Sequence, residues 1–129
     1  MLTGGAAGGI DWQTMGAGVN LGLATISSDT GHNSTMSDAS WAYNNPESRE
    51  DWGHRALHLS IGLAKDIVKG YYSQDINYSY YAGCSTGGRQ GLKTVQEYPE
   101  DVDGALVGAP AWWTTHLQVS KYNVWKLTL

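Results

Sequence analysis

Gly83-Cys84-Ser85-Thr86-Gly87 sets a serine at the centre of a G-x-S-x-G pattern. That is the spacing of a nucleophile elbow, in which a sharp turn between a strand and a helix lifts the hydroxyl clear of the backbone. The flanking glycines are steric requirements of such a turn, because side chains there collide with the neighbouring strand and helix as the chain bends. Attack by Ser85 on a carbonyl carbon creates an oxyanion, which needs hydrogen-bond donors. The backbone N–H of Thr86, at the start of the following helix, is the natural first donor. A second fits the glycine-rich stretch Gly4-Gly5-Ala6-Ala7-Gly8-Gly9, with Gly4 and Gly5 as the candidate oxyanion loop; the same composition also suits a flexible terminus.

A serine hydroxyl is a poor nucleophile until an oriented base takes its proton. The chain has four histidines. His116 alone follows Ser85, preceded by Asp101 and Asp103, and these separations are shorter than such a triad ordinarily spans. His54 and His58 share one face of a predicted helix at i,i+4 spacing, which suits a metal ion, but no third ligand accompanies them; packed or capping histidines are the simpler reading. His32, in Asp29-Thr30-Gly31-His32, follows a predicted strand and either contacts substrate or organises its loop. Trp112-Trp113 either walls a pocket or serves packing. The G-x-x-x-x-G of residues 83–88 also invites a phosphate-loop reading, but Arg89-Gln90 stand where the lysine and the hydroxyl residue would be needed.

The elements that must position these groups follow from periodicity. Residues 21–26 form a short apolar run suited to a buried parallel strand, feeding a loop over residues 30–48. A helix is predicted over 49–69, with Leu57, Ile61, Ala64 and Val68 on one face, Ser48 and Asp51 as a capping box, and Gly70 as its stop. Residues 78–82 read as a strand, 83–88 as a turn, 89–98 as a helix halted by Pro99, and 104–108 as a further strand. Residues 10–19 read as a weak helix capped by Asp11. Strand and helix alternate, so the fold class is α/β, a parallel sheet with flanking helices. So few strands leave sheet edges in need of partners, and an incomplete domain is expected.

Composition narrows the function classes. The chain has 129 residues, enough for one domain or part of one, and eight basic against twelve acidic side chains give a net charge of −4. That balance argues against a nucleic-acid groove and a polybasic membrane surface. No apolar run is long enough to cross a bilayer. The single cysteine, Cys84, excludes an internal disulfide framework. Asn33-Ser34-Thr35 and Asn77-Tyr78-Ser79 fit the glycosylation pattern, and no secretory leader is visible at the amino terminus.

The stretch Tyr80-Tyr81-Ala82-Gly83-Cys84-Ser85-Thr86-Gly87-Gly88-Arg89-Gln90-Gly91 resembles the tannase and feruloyl esterase family of α/β-hydrolases. Matches at residues 4–9, Ser28-Asp29-Thr30-Gly31-His32, Arg55-Ala56-Leu57-His58 and residues 103–111 extend the resemblance over nearly the whole chain. It implies that residues 1–129 are a partial α/β-hydrolase core of a carboxylic ester hydrolase, with Ser85 attacking a phenolic-acid ester. It implies also that Cys84 is disulfide-bonded to a cysteine next to the catalytic histidine, and that its partner, the catalytic aspartate and histidine, and a calcium-bearing lid domain are absent from this chain. The implied substrate is a small phenolic ester or a plant cell-wall ester, with no nucleic acid and no membrane, and the implied location is extracellular. No cofactor is expected in the chain itself. A non-catalytic hydrolase fold serving as an interaction module is the alternative. With no positioned base, the isolated 129-residue chain is expected to hydrolyse methyl ferulate poorly or not at all; turnover at esterase-like rates that disappears in Ser85→Ala would contradict this.

Overall fold

The computed structural model describes residues 4–117. Helix α1 spans Trp12–Asn20, α2 Pro46–Glu50 and α3 Ala56–Tyr72, with a single π-helical turn, Asp51–Arg55, joining α2 to α3. Strand β1 (Tyr80–Cys84) leads into α4 (Thr86–Glu97), which returns to β2 (Gly104–Gly108). The strands pair in parallel, Tyr80 opposite Gly104 and Cys84 opposite Gly108. The α/β class read from the sequence is the class observed.

Several boundaries move for identifiable reasons. Asp11 caps α1 as expected, its carboxylate accepting the Thr14 N–H at 2.9 Å. The second helical segment begins at Pro46 rather than Arg49, capped by Asn45, whose side chain accepts the Ser48 N–H at 3.2 Å. Asn followed by Pro is a stronger start signal than the Ser48/Asp51 pair, because proline presets the first helical φ. Asp51 instead receives Arg55 at 2.6 Å. Gly70 does not end α3; the helix runs to Tyr72 and stops at Ser73 in the left-handed region, φ 54°. Helix α4 starts at Thr86, earlier than expected, because its glycines serve packing rather than breaking the helix.

Residues 21–26 are not a strand. Leu21 and Leu23 are more than half exposed, and among the described residues the sheet contains β1 and β2 alone. An apolar run supplies buried surface, but a strand also needs a hydrogen-bonded neighbour, and none of the described residues provides one.

The buried apolar core is Leu57 and Ile61 of α3 with Tyr81 of β1, joined by partly buried Val102. Helix α4 packs on both strands. A side chain at Gly88 would meet the Gly108 carbonyl oxygen at 2.5 Å, and one at Gly91 the Tyr81 ring at 2.5 Å. The buried Tyr81 hydroxyl donates to the Gly87 carbonyl at 2.6 Å, and burial pushes its ionisation well above the ordinary tyrosine range.

Two outcomes follow. Gly88→Ala forces backbone against backbone and lowers stability by about 1–3 kcal/mol in urea titration; an unchanged midpoint would contradict this close approach. Because the folded state holds the Tyr81 proton more tightly than the unfolded state, its contribution is complete below about pH 10 and is lost as pH rises further. Tyr81→Phe therefore shows a shallower alkaline loss of stability, and an identical slope in both proteins would contradict it.

Candidate functional site

Ser85 lies between the last residue of β1 and the first of α4, with φ 59° and ψ −116°. A non-glycine residue holds such a conformation only where its surroundings enforce it, at a cost of roughly 1–3 kcal/mol. The enforcement is visible. The Ser85 N–H donates to the Gly108 carbonyl at 3.0 Å, and the Ser85 carbonyl accepts from the Arg89 N–H at 3.0 Å and the Ala111 N–H at 3.1 Å. The turn is therefore tied to the end of β2, to the first turn of α4 and to the segment after β2. At Gly83 a Cβ would come within 2.7 Å of the Gly87 backbone, so strand and helix approach too closely for a side chain there. Ser85 is exposed.

Thr86 and the Gly4–Gly5 stretch, the donors expected from the sequence, lie next to one another. Thr86 opens α4, in the turn whose N–H groups have no acceptor within the helix. Its hydroxyl donates to the Gly5 carbonyl at 2.8 Å, which brings the Gly4–Gly5 stretch beside the elbow from the far end of the chain. The loop is pinned on its other side as well: the Ala6 N–H donates to Met36 O at 2.9 Å and the Gly8 N–H to Ser34 O at 3.3 Å. A side chain on Gly8 would collide with the His32 carbonyl.

His32 is buried beneath this loop, Nε2 3.0 Å from the Ala6 carbonyl oxygen. Its ring stacks on Trp41 at 3.9 Å, and the Trp41 indole N–H donates to the same carbonyl at 3.1 Å. Of the roles open to it, organising the loop is the one these contacts perform. His54 meets the Tyr98 hydroxyl through Nδ1 at 2.8 Å, and His58 meets Asp101 through Nδ1 at 2.8 Å. Both are packed histidines, and among the described residues no group of three or more His, Cys, Asp or Glu side chains forms a metal-ligand set. Asp103 accepts the Ser79 N–H at 2.7 Å and so anchors the start of β1. His116 stacks on Trp113 at 3.6 Å, where Trp112, Trp113 and Pro110 line a shallow recess. None of these histidines hydrogen-bonds Ser85. Cys84 is a free, exposed thiol.

One structural residue escaped the sequence reading. Arg89 is buried, donating from both terminal nitrogens to the carbonyls of Gly53 and Trp52 at 3.1 Å each and lying 4.0 Å above the Trp52 ring. Burial lowers its pKa from the usual guanidinium value. Those carbonyls belong to the π-helical turn, so a local widening of one helix holds the first turn of α4 in place. The available signal was a cation near a helix amino terminus, where the dipole disfavours it and only specific acceptors compensate. The same contacts explain why no phosphate cradle exists here: the side chain points into the protein.

A family model described as tannase and feruloyl esterase matches residues 2–127. A curated protein named "Probable feruloyl esterase B-2" from Aspergillus terreus is 41% identical over 120 residues, covering 88% of this chain and 22% of its own. "Probable feruloyl esterase B" from Aspergillus clavatus is 44% identical over 108 residues, covering 84% and 20%. The solved structure of feruloyl esterase B from Aspergillus oryzae superposes with a TM-score of 0.81 at 42% identity, over 85% of this chain and 22% of that one. Tannin acyl hydrolase from Aspergillus niger superposes with a TM-score of 0.73 at 30% identity, over 85% and 22%. The chain thus spans about a fifth of the length of the curated relatives it matches.

Arg89→Lys keeps the charge but loses the paired donors and the planar stack. Stability falls by about 1.5–3 kcal/mol, the scale of a hydrogen bond to a charged group, read from the urea midpoint; an unaltered midpoint would show that the clamp does not hold α4.

Proposed function

The chain belongs to the tannase and feruloyl esterase family, and on that premise we propose that it carries the nucleophile and oxyanion site of a secreted serine esterase acting on phenolic-acid esters. The observation that carries the reading is an exposed serine hydroxyl on a strained turn between a parallel strand and a helix start, with a glycine loop bonded to the adjacent residue. In this account Ser85 Oγ attacks the ester carbonyl and loses its proton to a histidine. The carbonyl oxygen, now negative, is held by the Thr86 N–H and by an N–H of Gly4–Gly5. Collapse expels the alcohol, which takes the proton from the histidine and leaves an acyl-enzyme on Ser85. Water then attacks the acyl carbon, the histidine accepting its proton, and the acid departs as Ser85 Oγ recovers a proton.

The aspartate and histidine are assigned to polypeptide beyond this stretch, as is the cysteine that pairs with Cys84. A lid domain with a structural calcium would shape the pocket for the phenolic group. Small phenolic esters and esters of plant cell-wall material are the proposed substrates. Asn33 and Asn77 are exposed, which suits glycosylation on a secretory route, and among the described residues no helix is long and apolar enough to cross a membrane.

In the complete enzyme, Ser85→Ala lowers kcat on methyl ferulate by about 10⁴–10⁶-fold with the fold retained by circular dichroism. Activity within tenfold of the parent would assign the nucleophile elsewhere.

A further inference from the structure

The Ala6 carbonyl oxygen receives three side-chain donors: His32 Nε2 at 3.0 Å, Ser34 Oγ at 3.1 Å and the Trp41 indole N–H at 3.1 Å. A carbonyl oxygen has two lone pairs, so three donors are more than its desolvation requires. They come from 26, 28 and 35 positions away in sequence. The loop also closes without them, because the Ala7 N–H donates to the Gly4 carbonyl at 3.1 Å. What the three donors add is a fixed direction for one peptide group.

That direction is passed along the loop. A peptide group is planar, with its C=O and N–H pointing opposite ways, so holding the Ala6 C=O also holds the Ala7 N–H against the Gly4 carbonyl. The Gly4 C=O, held in turn, sets the N–H of Gly5 on the far side of the next peptide plane. Among the described residues the Gly5 N–H has no acceptor, and Gly5 is exposed. It is the open end of a hydrogen-bond chain that starts at three side chains. Bonds in such a chain polarise one another, so the donors on Ala6 both aim the Gly5 N–H and strengthen it. Gly5 takes φ 56°, which glycine adopts without steric cost, and its own carbonyl accepts the Thr86 hydroxyl at 2.8 Å. The aimed N–H therefore belongs to the residue that touches the start of α4.

Trp41 serves the helix as well as the loop. Its ring stacks on His32 at 3.9 Å and meets Trp52 at 5.6 Å, tilted by 49°, and Arg89 of α4 lies 4.0 Å over the Trp52 ring. The glycine loop and the first turn of α4 are thus referenced to one row of rings. We infer that Trp41, acting with His32 and Ser34 through the Ala6 carbonyl, is a positioning residue of the oxyanion site, and that the Gly5 N–H is the donor it aims. The inference rests on the serine-esterase reading above. Trp41 itself touches no substrate. It affects the rate because the donor it orients holds the oxygen most strongly once that oxygen is negative.

The test uses Trp41→Phe in the complete enzyme, which keeps a ring between His32 and Trp52 and loses the indole N–H. On methyl ferulate kcat falls by about tenfold, less than the roughly 10²–10³-fold that loss of a donor itself costs, while KM stays within twofold. A trifluoromethyl ketone bearing the feruloyl group, which a nucleophilic serine converts to a tetrahedral oxyanion, binds more weakly by the same factor, whereas inhibition by ferulate is unchanged. Ser34→Ala, which removes one donor and leaves every ring in place, gives the same pattern at smaller amplitude and carries the test alone if Trp41→Phe does not fold. Unchanged kcat, a rise confined to KM, or a fall in kcat with undiminished ketone affinity would each overturn the inference. Ser85→Ala separates it from the reading beneath: an active Ser85→Ala enzyme removes the serine-esterase reading, whereas an inactive one beside an unaltered Trp41→Phe enzyme overturns only the role of Trp41.

Discussion

A single left-handed residue organises the site. Ser85 turns the chain from strand to helix with φ 59°, and three backbone hydrogen bonds, to Gly108, Arg89 and Ala111, hold it there. Their net worth, about 1 kcal/mol each, is of the size needed to offset the strain of such a conformation. The bonds also fix what surrounds the hydroxyl. The Ser85 N–H is committed to Gly108 at the end of β2, so the turn cannot relax into the helix.

The glycines and the buried side chains exist to make that turn possible. Gly83, Gly88 and Gly91 each stand where a Cβ would meet backbone or an aromatic ring within 2.7 Å. Tyr81 fills the space under α4 and anchors it at Gly87, while Arg89 reaches across to the π-helical turn. Burial changes sharply at the turn: Ser85 is exposed, whereas the residues from Thr86 to Gly91 are buried. The glycine-rich loop depends on contacts distant in sequence, since Gly5 is held by Thr86 across 81 positions.

The parts legible in the sequence were those governed by local chemistry. The elbow, its strand and helix, the Asp11 cap and the α/β alternation follow from glycine sterics, capping and periodicity. What was not legible depended on distant partners. Residues 21–26 have the composition of a strand but no neighbour among the described residues to pair with. The π-helical turn at Asp51–Arg55 leaves no mark in an i,i+4 pattern, so the clamp on Arg89 was missed and its charge counted only against a phosphate loop. Asn45 outcompetes Ser48 as a cap because Pro46 after it presets the first helical φ. Tyr81 looked like one of many tyrosines; only its position under Gly91 makes it structural. The resemblance to tannases and feruloyl esterases was carried by the residues around Ser85, the ones least free to vary on steric grounds.

The most direct test of the account is to trap the acyl-enzyme. Complete enzyme mixed with a ferulate ester and quenched in acid during turnover, then digested and read by mass spectrometry, carries a feruloyl adduct on Ser85. An adduct on another residue, or turnover at the normal rate with no covalent species at any quench time, would contradict the claim that this turn presents the nucleophile.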